Sequence, residues 1–353
     1  MSEDLLLEIK GLKTQFFLDE GLVEAVNGVN LKIRRGATLG LVGESGCGKS
    51  VTAFSILNLV TRPGRVVGGE ILFHRSTNAA NGGVQIETID LAKLDPDGKQ
   101  MSTVRGKEIA MIFQEPMVSL SMMHTIGFQI MEAILLHFDV SQQEARERAI
   151  SILSKVGIPN AAERVDAYPF QLSGGMRQRA MIAMALSCNP TLLIADEPTT
   201  ALDVTTQAQI LELMLHLQKE FGMSILLITH DLGVVAETCD EVAVMYLGEV
   251  VEQGSVRQIF HSPAHPYTPA LLNSIPKLGS SKEGRLSPIE GTVPDPYNRP
   301  NGCPFHPRCV RFINDLCDHT TPPQIELNDG RSVRCWLHDP TQLSRPSGQG
   351  AQS

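Results

Sequence analysis

Residues 37–50 read Ala37-Thr38-Leu39-Gly40-Leu41-Val42-Gly43-Glu44-Ser45-Gly46-Cys47-Gly48-Lys49-Ser50. The first six suit a buried strand, and the last eight fit the pattern G-x-x-x-x-G-K-[ST]. In that pattern the glycines let backbone N–H groups turn inward around phosphates. Lys49 then reaches the β- and γ-phosphates, and the Ser50 hydroxyl binds Mg²⁺. A helix is predicted from Gly48 to about Val60, and its positive end adds to the attraction for an anion. Gly43, Glu44, Ser45, Gly46, Cys47, Gly48, Lys49 and Ser50 are therefore the candidate phosphate residues, with Cys47 as a small side chain at a variable position.

Two further stretches carry related chemistry. Leu192-Leu193-Ile194-Ala195-Asp196-Glu197 is an apolar strand ending in two acids. Asp196 at its tip suits a Mg²⁺ shell, and Glu197 suits a base that orients or deprotonates water. About twenty residues upstream of Asp196, Leu172-Ser173-Gly174-Gly175-Met176-Arg177-Gln178-Arg179 opens a helix on a serine and two glycines. That is a second helix terminus fit for an anion. Residues 174–253 alternate helix and strand, with strands expected at Thr191–Ala195, Ser224–Thr229 and Glu241–Tyr246. The alternation implies an α/β fold with a mainly parallel sheet covered by helices.

The rest of the chain frames this core. Residues 1–36 read as short strands broken by Gly11, Gly21 and Gly28. Residues 75–107 are polar and read as loop and small sheet. Residues 141–156 read as a helix with Ser141 as cap and Glu144 completing a capping box. Beyond about Gly254 the chain becomes proline-rich, from Pro263 to Pro307, which rules out long helices and predicts a separate small module. With 353 residues, 42% hydrophobic and 20% charged, the chain has the size and composition for about two soluble domains.

The net charge of -9 argues against a nucleic-acid binder, whose affinity rests on Lys and Arg. No apolar run reaches the ~20 residues that span a bilayer. The acidic start Met1-Ser2-Glu3-Asp4 is unlike a signal peptide. Any membrane contact is therefore expected through partner proteins.

In this order of motifs the sequence resembles the ABC ATPases. The loop at 43–50, Gln114, the LSGG stretch at 172–175, the acids 196–197, Ala201-Leu202-Asp203 and His230 all fall in the family's order, over roughly residues 5–255. The resemblance implies a P-loop NTPase with a RecA-like parallel sheet, an antiparallel β subdomain and a helical subdomain at about 118–172, together filling residues 1–254. It also implies two cassettes packed head to tail with ATP between them. Leu172, Ser173, Gly174, Gly175 and Met176 of one would meet the nucleotide on the other. Glu197 would be the catalytic base, His230 would contact the γ-phosphate, and Asp203 would contact the opposing protomer. Gln114 would touch Mg²⁺ and water beside Ser50 and Asp196. An aromatic residue stacks on adenine in this family. Phe16 and Phe17 are the candidates, and both also suit a core strand.

A narrower resemblance covers about residues 3–340. His265-Pro266-Tyr267-Thr268-Pro269-Ala270-Leu271-Leu272, Gly291-Thr292-Val293-Pro294 and Phe113-Gln114-Glu115-Pro116-Met117-Val118-Ser119-Leu120 look like the ATPase subunits of oligopeptide, dipeptide and nickel importers. Ser121-Met122 departs from the usual Asn-Pro. This implies a subunit on the cytoplasmic face of the inner membrane, working with a second cassette (the same chain or another), two permease subunits and an extracytoplasmic binding protein.

Residues 255–340 would be the family's C-terminal extension, with a disordered tail at 341–353. Cys303, Cys309, Cys317 and Cys335 lack the paired C-x-x-C of a zinc ribbon, and four thiolates can hold an iron–sulfur cluster. Family members with these four cysteines are associated with a [4Fe–4S] cluster. Zinc, with His306 or His338 as ligand, and free thiols are the other readings.

Overall fold

The computed structural model describes residues 4–78, 84–114, 119–200, 202–274, 289–339 and 341. Two long strands open it, β1 (Leu5–Leu18) and β2 (Gly21–Arg34). They are longer than the glycines suggest. Gly11 and Gly28 take positive φ of 58° and 71° and sit at register shifts within the hairpin. They therefore act as bulges rather than strand ends. After β3 (Thr38–Val42) and helix α1 (Lys49–Ile56), the strands β4 (Gly64–Asn78) and β5 (Val84–Asp90) join the hairpin. The result is an antiparallel sheet of order β2-β1-β4-β5. Residues 75–107, expected as loop and small sheet, hold the end of β4, all of β5 and also the short helix α2 (Lys99–Val104). Helix α1 also stops short of Val60, because Asn58 takes a left-handed φ of 53° just beyond it.

The second sheet carries the site. Its order is β11 (Ile325–Glu326), β12 (Ser332–Val333), β10 (Glu249–Ser255), β9 (Glu241–Tyr246), β3, β8 (Ser224–Ile228), β7 (Leu192–Asp196) and β6 (Ile109–Ile112). From β9 to β6 every pairing is parallel. Strands β3, β7 and β8 are buried at every position, as expected of a parallel sheet covered on both faces. Side chains alternate between two cores with the period of a strand. Leu192 and Ile194 face the antiparallel sheet, while Leu193 and Ala195 face the helices.

Between β6 and β7 the described chain is helical: α3 (Ile126–His137), α4 (Gln142–Lys155), α5 (Ala161–Arg164) and α6 (Gly174–Leu186). Ser141 caps α4 by accepting from the Glu144 N–H at 3.1 Å. The reciprocal half of the box is not made, since the Glu144 carboxylate pairs forward with Arg148 at 2.6 Å. Helices α7 (Val204–Phe221), α8 (Leu232–Thr238), α9 (Val256–His261) and α10 (Tyr267–Asn273) follow.

The C-terminal segment is not a separate module. Strand β12 pairs with β10, so residues 325–333 extend the central sheet. Its apolar residues, Tyr267, Cys303, Phe305 and Cys317, share one core with Val42, Val242 and Tyr246. Two buried glutamates of β10 fasten it. Glu249 pairs with Arg299 and, at 3.0 Å, with Arg334. Glu252, fully buried, accepts from the Ala264 N–H, the His265 N–H and the Thr268 hydroxyl at 2.7, 2.9 and 2.6 Å. A segment with so many prolines builds little core of its own, and these charge-assisted bonds give it a fixed seat.

No helix among the described residues is long and apolar enough to cross a membrane. Glu115–Val118, Ala201, the prolines Pro276 and Pro288, and the expected tail beyond Thr341 lie outside the described residues.

Candidate functional site

Because β3, β8, β7 and β6 run parallel, their C-terminal ends share one edge of the sheet. Each delivers one part of the site. Residues 43–50 follow β3, His230 follows β8, Asp196 and Glu197 close β7, and Gln114 follows β6.

The loop after β3 is wedged between β9 and β2. Gly43 has φ 154°, and a Cβ there would lie 2.1 Å from the Met245 carbonyl oxygen. Gly48 has φ 101°, and its Cβ would lie 2.3 Å from the Ala25 carbonyl oxygen. Only glycine fits both places. Ser45 and Gly46 form the exposed crown. Lys49 is buried, its Nζ donating to the carbonyls of Gly43 and Glu44 at 2.9 and 3.1 Å. The cation thus lies folded over the loop it would use on phosphate. Cys47 faces inward, and burial, partly offset by Lys49, pushes its thiol pKa up.

Ser50 and Asp196 stand on the same side of the loop. Burial raises the Asp196 pKa, the neighbouring Ser50 hydroxyl opposes it, and Oδ1 is buried without a hydrogen-bond partner. A buried carboxylate oxygen left unpaired beside a hydroxyl is costly and fits a Mg²⁺ ligand set.

Glu197 is the hub of the remaining residues. Its backbone is left-handed, φ 46°, a strained conformation for a non-glycine residue. Its carboxylate accepts from Gln114 Nε2 at 2.9 Å and Thr200 Oγ1 at 3.0 Å, and lies 3.1 Å from His230 Nδ1. Burial pushes its pKa up. Hydrogen bonds from His230 and Thr200, with the charges of His230 and Lys49, outweigh this and hold it below the usual value. The group is an ionised carboxylate, held by three side chains at the mouth of the site. Gln114, Glu197 and His230, far apart in sequence, are thus one cluster. Thr200 was not foreseen, nor was Gln178, whose buried amide donates to the Pro198 carbonyl and ties α6 to the Glu197 turn.

At the start of α6, Ser173 is exposed and caps the helix by accepting from the Met176 N–H at 3.4 Å. Gly174 is exposed too, whereas Leu172 is buried as an anchor. Asp203 is exposed and caps α7, accepting from Thr206 N–H and Oγ1 at 3.0 and 2.7 Å. Both segments present groups outward. Of the two aromatic candidates, Phe16 is packed against Gly64. Phe17 is exposed, with the Arg65 guanidinium 4.3 Å from its ring centroid.

The four C-terminal cysteines form no disulfide, and three of them are buried. They are gathered: the Cys303 N–H donates to the Cys317 carbonyl at 2.8 Å, and Cys303 feels Cys317, Cys335 and Cys309 electrostatically. Burial pushes Cys303 up to about 12 and Cys335 up to about 11, so a metal would have to displace their protons. No three of their sulfurs lie within 4.8 Å of one another. A tetrahedral zinc site with ~2.3 Å Zn–S bonds needs closer sulfurs, and a larger cluster does not. His338 Nε2 is engaged with the Ala264 carbonyl at 2.9 Å, and His306 Nδ1 with the Cys303 carbonyl at 2.9 Å.

Comparison with known proteins places these features in context. Residues 26–200 match the ABC transporter family, and residues 251–317 match the oligopeptide/dipeptide transporter C-terminal region. The oligopeptide transport ATP-binding protein AppD of Bacillus subtilis is 49% identical over 95% of this chain and 97% of its own length. The dipeptide transport ATP-binding protein DppD of Escherichia coli is 47% identical, over 94% and 96%. Among solved structures, the dimeric bacterial ABC transporter cassette MJ0796 superposes with a TM-score of 0.60 at 28% identity, covering 71% of this chain and 99% of that one. A second structure of MJ0796, a dimer in a post-hydrolysis state bound to ADP and Pi, superposes with a TM-score of 0.59.

Proposed function

The chain belongs to the ABC transporter family and is an ATP-hydrolysing subunit of that kind; from this premise we propose that it powers an importer of di- and oligopeptides. The observation that carries the peptide assignment is the C-terminal region at 251–317, shared with oligopeptide/dipeptide transporters and joined here to the central sheet. On this reading residues 1–254 are the cassette, with its helical subdomain at about 118–172, and 255–340 are the extension.

The chemistry is phosphoryl transfer to water, so the protein's work is positioning and charge stabilisation. Lys49 leaves its carbonyl partners for the β- and γ-phosphates, which the loop amides receive. Mg²⁺, held by Ser50 and Asp196 with Gln114 nearby, would neutralise phosphate charge. Glu197 accepts the proton of the attacking water, His230 contacts the γ-phosphate, and Phe17 offers adenine a face. Ser173, Gly174 and Gly175 reach the nucleotide of a second cassette, with Asp203 at the same interface.

An exposed aromatic patch supports docking to membrane subunits. His124 stacks on Phe128 and Tyr168 on Phe170, and the two pairs sit on adjoining segments joined by the Gly127 N–H to Val165 carbonyl bond at 2.7 Å. Apolar rings left to solvent in this way mark an interaction surface. We assign the chain to the cytoplasmic face of the inner membrane, with two permease subunits and an extracytoplasmic peptide-binding protein. Purified with its permeases in vesicles, the complex should raise its ATPase rate when peptide-loaded binding protein is added. A rate indifferent to peptides but responsive to nickel or another solute would remove the peptide assignment.

The cysteines at 303, 309, 317 and 335 fit a [4Fe–4S] cluster, which would brace a segment poor in core. Anaerobic purification should give brown protein with matching iron and sulfide, and Cys317→Ser should lose the colour and lower the melting temperature. A colourless, iron-free wild-type protein would contradict this.

A further inference from the structure

Among the described residues, the hydrogen bonds between the C-terminal segment and the loop that would bind phosphate converge on Glu44. The Glu44 N–H donates to the Tyr267 hydroxyl at 3.1 Å. Its carboxylate takes a two-point bond from the Arg308 guanidinium, 2.8 and 3.1 Å. The Arg308 side chain is only 4% exposed, and it spans three parts of the molecule. Besides Glu44 it donates to the Tyr246 hydroxyl of β9 at 3.4 Å and to the carbonyls of Ile289 and Glu290 at 3.5 and 3.2 Å.

Each of the two arms is itself anchored. Tyr267 is fully buried and begins α10, which the buried Glu252 carboxylate fixes through Ala264, His265 and Thr268. The His265-Pro266-Tyr267-Thr268 stretch is therefore a bracket between β10 and the loop. Phe305 sets the second arm, its ring 5.2 Å from Tyr246 edge-on and 5.3 Å from Tyr267. It lies between Cys303 and Arg308, and Cys309 follows. One short stretch thus carries two of the gathered cysteines, the aromatic wedge and the arginine.

We propose that Arg308 and Tyr267 are positioning residues for nucleotide: they hold Glu44 so that the loop at 43–50 is already shaped for phosphate before ATP arrives. The inference rests on reading that loop as the ATP site. Neither residue need touch nucleotide. Glu44's own N–H is committed to Tyr267, and the crown at Ser45 and Gly46 stays exposed beyond the held point. Apparent affinity scales with the fraction of protein in the competent conformation, so a loop shaped only about one-tenth of the time binds about tenfold more weakly. The C-terminal segment would then tune ATP affinity without altering the catalytic cluster around Glu197.

The test is nucleotide titration and steady-state kinetics on the full chain. Arg308→Met should raise the ATP dissociation constant and KM about tenfold, with kcat within about threefold of wild type. Arg308→Lys should recover part of the loss. Glu44→Gln should weaken ATP binding to a similar degree, and the double variant should be no worse than either single one, because both break the same contact. Amide exchange at residues 43–48 of the nucleotide-free protein should quicken in Arg308→Met. Unchanged KM in a folded Arg308→Met, or losses that simply add in the double variant, would overturn the proposal. Should Arg308→Met not fold, Glu44→Gln decides alone: unaltered ATP affinity overturns the proposal. Lys49→Ala separates the two levels. If it keeps full ATP affinity, the loop reading itself fails; if it loses ATP while Arg308→Met and Glu44→Gln do not, only the positioning role fails.

Discussion

Glu197→Gln should stall hydrolysis while leaving ATP bound. The substitution keeps the size of the side chain and removes the charge that accepts a proton. A positioned general base is worth roughly 10²–10⁴-fold in rate, and kcat should fall within that range. The surroundings tolerate the amide. Its oxygen can still accept from Gln114 and Thr200, and its NH₂ can face His230 Nδ1 in the tautomer that accepts. The left-handed backbone at residue 197 is unchanged in kind, so folding should survive. ATP affinity should stay within about threefold, because Glu197 does not belong to the phosphate loop. In the wild type, the carboxyl's lowered pKa keeps the base ionised as pH falls, and activity is lost only below the usual glutamate range. Single-turnover phosphate release checks the rate and nucleotide titration checks the affinity. Turnover within a few-fold of wild type would remove Glu197 as the base.

Lys49→Ala should act earlier, at binding. Lys49 is buried with its ammonium on two loop carbonyls, so its loss removes both the cation for phosphate and an internal tie of the loop. A hydrogen bond to a charged group is worth ~1.5–3 kcal/mol, which is about 10–100-fold in affinity. Turnover should fall below detection, since the remaining groups have no correctly placed γ-phosphate. Titration with a fluorescent ATP analogue reads the loss directly. Affinity within about threefold of wild type would place the nucleotide elsewhere.

Much of this site was legible because its chemistry is local. Gly43 and Gly48 mark places where a Cβ would strike a carbonyl, and Lys49 follows at the helix start. Strands β3, β7 and β8 carry unbroken apolar runs because both faces are covered. Parallel pairing then brings Gln114, Glu197 and His230 together, a meeting that spacing alone does not give.

The misreadings are equally physical. Gly11 and Gly28 looked like strand ends and are bulges. The polar run at 75–107 reads as loop and small sheet, and β5 bears out the sheet, while the short helix α2 beyond it carries no clear apolar period. The proline-rich segment looked separate, yet Glu249 and Glu252 seat it on β10. Its hold on Glu44 leaves no local trace, since the partners stand 223 and 264 positions apart. His265-Pro266-Tyr267-Thr268 was visible as a family mark, but its mechanical role appears only with the Glu252 contacts in view.

On the proposed function two cassettes would share each nucleotide, one by its lysine-bearing loop and the other by its serine–glycine helix start. The most direct measurement is a structure of the intact Glu197→Gln assembly with ATP and Mg²⁺. Residues 172–175 of this chain should lie within hydrogen-bonding reach of the terminal phosphate held by the neighbouring cassette. A nucleotide enclosed by one chain alone, with Ser173 far from every phosphate, would contradict the account.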